Sequence, residues 1–135
     1  MKSVLITGCS SGIGHCVALA LRQRGYRVFA SARKAQDVAS LRQQGLDSLT
    51  LDLTDPKSIE AALAQLLEAT DGELYALFNN GAYGQPGAVE DLSREALRAQ
   101  FETNLFGWHD LTRRVIPLMR RQRSGRIIQN SSVLG

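Results

Sequence analysis

Short apolar runs alternate with segments of helical periodicity along the whole chain, and this alternation restricts the fold more than any other feature. Val4-Leu5-Ile6 reads as a first strand that ends at Thr7-Gly8. From Ile13 to Arg24, Ile13, Val17, Ala18, Ala20 and Leu21 follow helical spacing, and Gly25 closes that helix. A strand over Tyr26 to Ala32 comes next, then a helix from Ala35 to Gln44 closed by Gly45, then a third strand around Leu49 to Leu53. Thr54-Asp55-Pro56 starts a helix with proline in its first turn, and Ile59 to Thr70 continues it as far as Asp71-Gly72. Tyr75 to Phe78 is a fourth strand unbroken by charge, as expected where both faces of a sheet are covered. Beyond a glycine-rich stretch from Gly81 to Gly87, Ser93 begins a helical pattern that continues past Asn104 to Gln122, with Pro117 as a place for a kink. Ser124-Gly125 breaks the chain, and Arg126 to Ser132 is the fifth strand.

Strands separated by helices cannot pair as hairpins; each return to the sheet needs a long crossover, and crossovers make strands parallel. The expected fold class is α/β: a doubly wound, Rossmann-like parallel sheet of about five strands with flanking helices. The 135 residues, 44% hydrophobic and 21% charged, suit one soluble domain, and no repeat, linker or low-complexity segment divides them. Residues 1–135 are therefore read as a single dinucleotide-binding domain. No apolar run approaches the roughly 20 residues that span a bilayer, and Met1-Lys2-Ser3 is too weakly basic to begin a signal peptide. That favours a cytoplasmic protein with no membrane partner. Cys9 and Cys16 sit in no metal-ligand spacing, so we expect reduced thiols and no metal.

The net charge of +3 is uneven, with Arg113, Arg114, Arg120, Arg121, Arg123 and Arg126 crowding one region. A nucleic-acid surface is one reading. Against it, Arg113 and Arg120, and likewise Arg114 and Arg121, recur two turns apart opposite an apolar side of Leu111, Val115, Leu118 and Met119. A solvated helix face near a helix end accounts for them, and no nucleic-acid partner is expected.

The strongest local signal is Thr7-Gly8-Cys9-Ser10-Ser11-Gly12-Ile13-Gly14, between the first strand and the first helix. Any tight strand-to-helix turn selects glycine, so glycines alone say little. In the first βαβ unit they mean more: Gly8, Gly12 and Gly14 allow a tight turn, an unobstructed approach to a pyrophosphate, and close packing of helix on strand. Amides at the helix start then face the anion.

The spacing Gly-xxx-Gly-x-Gly differs from the commoner Gly-x-Gly-xx-Gly and resembles the signature of the short-chain dehydrogenase/reductase family. Those proteins have one doubly wound domain and transfer hydride between a nicotinamide and a carbonyl or alcohol. The resemblance implies cofactor contacts from Ser10, Ser11, Gly12 and Ile13 in the loop. An acid about 20 residues beyond the glycines would mark NAD, whereas a nearby arginine suits the 2′-phosphate of NADP. This chain has Ala30-Ser31-Ala32-Arg33-Lys34 there, so Arg33, with Lys34 as a second cation, points to NADP. The competing reading of Arg33 is an exposed loop charge. Asp52, followed by Leu53, matches the family aspartate that holds the adenine amino group; its competing reading is a turn-forming or helix-capping residue.

Phe78-Asn79-Asn80-Gly81-Ala82 falls where the family carries Asn-Asn-Ala-Gly, with glycine and alanine reversed. Asn80, Gly81 and Ala82 are expected beside the cofactor ribose, unless Asn80 is a plain turn residue. Thr103-Asn104-Leu105-Phe106-Gly107 resembles the helix whose asparagine joins a catalytic Asn, Ser, Tyr and Lys set and holds a local helix distortion. Asparagine is a poor helix-interior residue, so Asn104 is assigned that role over a solvent-facing accident. Gly125 to Gly135 resembles the strand carrying the catalytic serine. Ser132 is chosen over Ser131 because it directly precedes the apolar Val133 and Leu134 leading to Gly135.

The family's general acid/base is a tyrosine after that serine, with a lysine four residues further, and no Tyr-xxx-Lys occurs in this chain. Free tyrosine has a pKa of about 10 and needs a cation to act near neutrality. We therefore expect a truncated domain, incomplete at its C-terminal end, with its fifth strand an open edge, inactive by itself but able to bind cofactor. The parent would be an NADP-dependent reductase or dehydrogenase acting on a small-molecule carbonyl or alcohol, faintly closest to the steroid and retinoid branch, and a homodimer or tetramer. A non-catalytic NADP-binding regulatory protein is the alternative. His15 and His109 lack a partner pattern for a triad or metal and are read as surface or packing residues.

Overall fold

Each strand of the sheet is parallel to its neighbours, as the alternation of elements requires. The computed structural model describes residues 1–133. Its strands are β1 (Ser3–Ile6), β2 (Arg27–Ala32), β3 (Asp47–Thr50), β4 (Ala76–Asn79) and β5 (Arg126–Gln129), in the order β3-β2-β1-β4-β5. The helices are α1 (Gly12–Gln23), α2 (Ala35–Gln43), α3 (Pro56–Ala69), α4 (Arg94–Phe101) and α5 (Trp108–Gln122). The chain builds outward from β1 to β3, then returns with β4 to the other side of β1. A crevice opens above the carboxyl ends of the strands where the order reverses.

Period-two alternation sends β-strand side chains to opposite faces. Leu5, Phe29 and Leu77 meet α3 and α5 through Ile59, Leu66, Leu111 and Val115. Val4, Ile6, Val28, Ala30, Ala76 and Phe78 meet α1 and α2 through Ala18, Val38 and Leu41. Both faces are covered, and the doubly wound parallel sheet expected from the sequence is the fold found. Leu5, Leu66, Leu77 and Leu111 are fully buried, and removing such a side chain from water contributes roughly 1.5–3 kcal/mol.

Three elements depart from the sequence reading by more than one residue. The third strand is Asp47–Thr50 and not Leu49 to Leu53; Leu51 and Leu53 stay buried but lie in the loop above it. The fifth strand stops at Gln129, short of Ser132, because β4 ends at Asn79 and offers its last carbonyl to the Asn130 N–H. The single helix read from Ser93 to Gln122 is two helices joined by a π-helical turn, Glu102–Gly107, while α5 runs on through Pro117. A short 3-10 turn at Val89–Asp91 precedes α4.

Candidate nucleotide-binding site

The loop after β1 is tied to both neighbouring strands. The Thr7 N–H donates to the Phe78 carbonyl at 3.2 Å, and the Cys9 N–H donates to the Ser31 carbonyl at 2.8 Å. Between them Gly8 has φ +67°, and a Cβ there would lie 2.6 Å from the Gly81 Cα. A Cβ on Gly14 would lie 2.4 Å from the Gly8 carbonyl oxygen. These two glycines let backbones pack against each other. Gly12 differs: its φ is +63°, and a Cβ would meet nothing within 4 Å. Glycine is needed at 12 for its backbone angle, on a surface open to a ligand. Ser11 occupies the N-cap of α1 but makes no side-chain cap hydrogen bond, which leaves first-turn amides free to receive an anion.

A cleft of about 790 Å³ lies along the carboxyl ends of the strands. Gly8, Ser10, Arg33, Asp52, Leu53, Gly81 and Ala82 line it, so the structure brings these expected cofactor residues together. Ser11, Gly12 and Ile13 lie exposed at the start of α1, with Gly14 buried beneath. Neither these nor Asn80, Asn104 and Ser132 form the cleft wall. Thr7, Ser31, Tyr83, Glu102 and Thr103 do, and the sequence reading missed them. Thr7 carried a usable signal, since a buried hydroxyl at the end of a strand demands partners. It accepts hydrogen bonds from the N–H groups of Asn80 and Gly81 at 2.9 and 2.7 Å.

At the β2 end of the cleft, Arg33 and Lys34 are exposed and Asp37, in the first turn of α2, joins them on the wall. The stretch is thus not free of acid, as the strand end alone suggested. Asp52 forms a turn: Oδ1 accepts from the Thr54 N–H at 3.0 Å and the Thr54 hydroxyl at 2.7 Å. Capping of α3 falls to Asp55, whose Oδ1 accepts from the Lys57 N–H at 3.0 Å.

At the other end, Asn80 braces the sheet. Its Nδ2 donates to the carbonyls of Thr7 and Gly8 at 3.1 and 3.2 Å, and its Oδ1 accepts from Asn130 Nδ2 at 2.8 Å. The reversed Gly81-Ala82 pair has a steric counterpart. A Cβ at 81 would sit 3.2 Å from the Gly8 nitrogen, Leu53 Cδ1 and Thr7 Oγ1, whereas Ala82 is exposed. Asn104 lies within the π-helical turn and hydrogen-bonds the backbone of Tyr83. Ser132 is exposed beyond the end of β5; Leu134 and Gly135, used to choose it, lie outside the described residues.

Cys9 is buried beneath the loop. Burial pushes its thiol up from 9.0 to about 12, against a smaller lowering by the backbone hydrogen bond to Ser31. His15 Nε2 meets Gln44 Oε1 at 2.7 Å on the helix surface, and His109 is exposed. Arg113 and Arg114 pair with Asp110 along α5.

A family model described as short chain dehydrogenase matches residues 2–135. The chain is 43% identical to the uncharacterized oxidoreductase YbbO of Escherichia coli, over 99% of this chain and 50% of that protein. Human retinol dehydrogenase 8 is 38% identical over 99% of this chain and 45% of its own length. Among solved structures, a short-chain dehydrogenase from Streptomyces avermitilis aligns with TM-score 0.90 and 35% identity, covering 97% of this chain and 49% of that one. An actinorhodin polyketide ketoreductase with NADPH aligns with TM-score 0.89 and 32% identity, covering 97% and 53%. The chain spans about half the length of the curated relatives it matches.

Proposed function

The chain belongs to the short-chain dehydrogenase family, and from that premise we propose that it is the NADP(H)-binding part of an oxidoreductase acting on a small-molecule carbonyl or alcohol. The observation that carries this reading is the start of α1 at Gly12, without a side-chain cap and with open space where a Cβ would lie, two residues after Ser10 on the wall of a cleft along the carboxyl ends of the strands. The residues present fit a dinucleotide. Amides at Ser11, Gly12 and Ile13, with the hydroxyls of Ser10 and Ser11, suit the pyrophosphate. Arg33, with Lys34 beside it, suits a 2′-phosphate, and its planar fork matches phosphate oxygens two at a time. The second oxygen of Asp52 is left to accept from an adenine amine, with Leu53 alongside. Asn80, Gly81 and Ala82 shape the ribose end.

When bound, the nicotinamide supplies or accepts hydride. In this reading Ser132 orients the substrate oxygen and Asn104 supports proton relay through the loop it holds. The structural neighbour crystallised with NADPH supports the choice of NADP. A homodimer or tetramer is proposed for the whole protein, supported by Leu97, Phe101, Leu105 and Phe106, which leave a half-exposed apolar stripe. A cytoplasmic setting is proposed too; among the described residues no helix is long and apolar enough to cross a membrane.

Titration with NADPH and NADH tests the cofactor. NADPH is expected to bind at least about tenfold more tightly, the size of one charge-assisted contact. Arg33→Asp is expected to abolish the difference. Equal affinities, or no loss in the variant, refute the NADP assignment, and absence of binding by either refutes the nucleotide site itself.

A further inference from the structure

We infer that Trp108 is a positioning residue of the nucleotide site, holding Gly81 against the phosphate loop through its indole N–H. Trp108 Nε1 donates to the Gly81 carbonyl at 2.6 Å, across 27 residues of sequence. The other backbone group of the same residue is also held, since the Gly81 N–H donates to Thr7 Oγ1 at 2.7 Å. Gly81 is therefore strung between the end of β1 and the start of α5.

Its position leaves little slack. The Cβ that Gly8 lacks would strike the Gly81 Cα at 2.6 Å, so residue 81 lies directly on the phosphate loop. The indole reaches it because α5 begins unusually close to the loop after β3. A Cβ on Gly107 would lie 2.4 Å from the Leu53 carbonyl oxygen, so glycine at 107 permits an approach no other residue allows. Trp108, next along, is partly buried against the core on the α3 and α5 face. Leu53 and Gly81 are both wall residues of the cleft, as are Ala82 and Tyr83 immediately after. The indole thus holds the Gly81 end of the wall segment 81–83 above Gly8, while Asn104 holds its Tyr83 end. A phenyl ring in its place would fill only part of that space and leave the Gly81 carbonyl to find water.

This inference rests on the nucleotide-binding reading above, and its test separates the two. Trp108 is the sole tryptophan, so the chain labelled with nitrogen-15 shows one indole N–H resonance. Saturation with NADP+ is expected to shift that resonance together with the backbone resonances of Gly8, Gly12 and Gly81. Trp108→Phe is expected to weaken NADP+ and NAD+ by the same factor, about three- to tenfold, the value of one lost hydrogen bond. A change in folding alone would not move the indole resonance of the unmutated chain, and equal loss for both cofactors separates Trp108 from the Arg33 end. Glycine resonances that shift while the indole stays still, or a folded Trp108→Phe chain of unchanged affinity, would overturn the role of Trp108 and leave the site standing. No shift at any of these residues would remove the site and the inference together.

Discussion

Asn104 grips Tyr83 at two points: Nδ2 donates to the Tyr83 carbonyl at 2.7 Å, and Oδ1 accepts from the Tyr83 N–H at 3.1 Å. Both polar ends of one amide are satisfied by both polar groups of one residue. The π-helical turn explains how. An extra residue in the helix turns Asn104 off the regular spacing and toward the loop, a distortion common at functional sites.

Asn104→Ala removes both bonds and leaves the Tyr83 backbone to water. The expected cost is about 1–2 kcal/mol, confined to the loop between β4 and α4. Hydrogen exchange at the Tyr83 amide is the direct measure: its protection should fall roughly tenfold while that of Leu5 and Leu77, in the central strands, is unchanged. Asn104→Asp keeps the acceptor for the Tyr83 N–H and loses the donor, so protection at that amide should largely survive. Equal loss of protection in both variants would show that the loop is held by something else.

The turn at Asn104 also shows where sequence reading runs out. Asparagine in mid-helix signalled a special residue, and the family resemblance anticipated a distortion there. Which backbone group it meets depends on a loop 21 residues away and is written in no local pattern. The glycine loop was legible because the backbone angles at Gly8 and Gly12 forbid most other residues. The third strand was misplaced for a physical reason. Leu49, Leu51 and Leu53 alternate as a strand does, yet the last two are buried from a loop, and hydrophobic spacing reports burial before it reports strand pairing. Asp47 opens the strand despite its charge, and Arg27 on β2 meets its carboxylate at 3.0 Å. Asp37 was invisible because cleft walls are assembled by tertiary folding and not by neighbours in sequence.

The glycines of the loop after β1 should separate under substitution. Gly14→Ala drives a methyl to 2.4 Å from the Gly8 carbonyl oxygen and 2.6 Å from Asn80 Nδ2, contacts that must be relieved by moving backbone. Overpacking of this kind costs typically about 1–3 kcal/mol. Gly12→Ala meets no atom within 4 Å; its cost is the left-handed backbone angle alone, about 1–2 kcal/mol. Thermal melts alone do not separate the pair well, but cofactor titration should. At a temperature where both are folded, Gly12→Ala should lose more affinity if the open space at Gly12 receives the pyrophosphate as proposed, because its methyl would enter that space. A Gly12→Ala chain that binds NADPH normally would remove Gly12 from the site.

Asp37 shares the cleft wall with Arg33 and Lys34 and sets one negative charge among two positive ones. A carboxylate there opposes a 2′-phosphate while leaving a 2′-hydroxyl nearly unaffected. Asp37→Asn should tighten NADPH by about two- to fivefold with little change for NADH, and the gain should shrink at high salt, because partly exposed charges are screened. Folding should move the other way. Asp37 lies in the first turn of α2, where its charge favours the helix dipole, and its loss should cost about 0.3–1 kcal/mol. Parallel titrations at low and high salt check the first part and urea unfolding the second; weaker NADPH binding in the variant would mean that Asp37 orients Arg33 instead.

Cys9 gives the chain a predictable pH dependence. Its side chain is fully buried, with Sγ donating to the Ile6 carbonyl at 3.3 Å, and burial raises the thiol from 9.0 to about 12. Between those values the folded chain keeps a proton that the unfolded chain has released. The native state then binds more protons, so stability falls as pH rises through this window, by up to about 1.4 kcal/mol per unit. Below about pH 8 both states hold the proton and this group adds no slope. Other groups titrate in alkali as well, so the measurement is a difference: urea unfolding of the native chain and of Cys9→Ala at pH 8 and pH 10. Cys9→Ala should lose a constant amount at pH 8 for the missing sulfur and recover part of it at pH 10. Alkylation supplies an independent check, because Cys16 is exposed and Cys9 is not. In native buffer a Cys16→Ser chain should resist a thiol reagent, and in urea it should react fully. Rapid native modification of that variant would mean that the loop after β1 opens far more readily than its bonds to β2 and β4 allow.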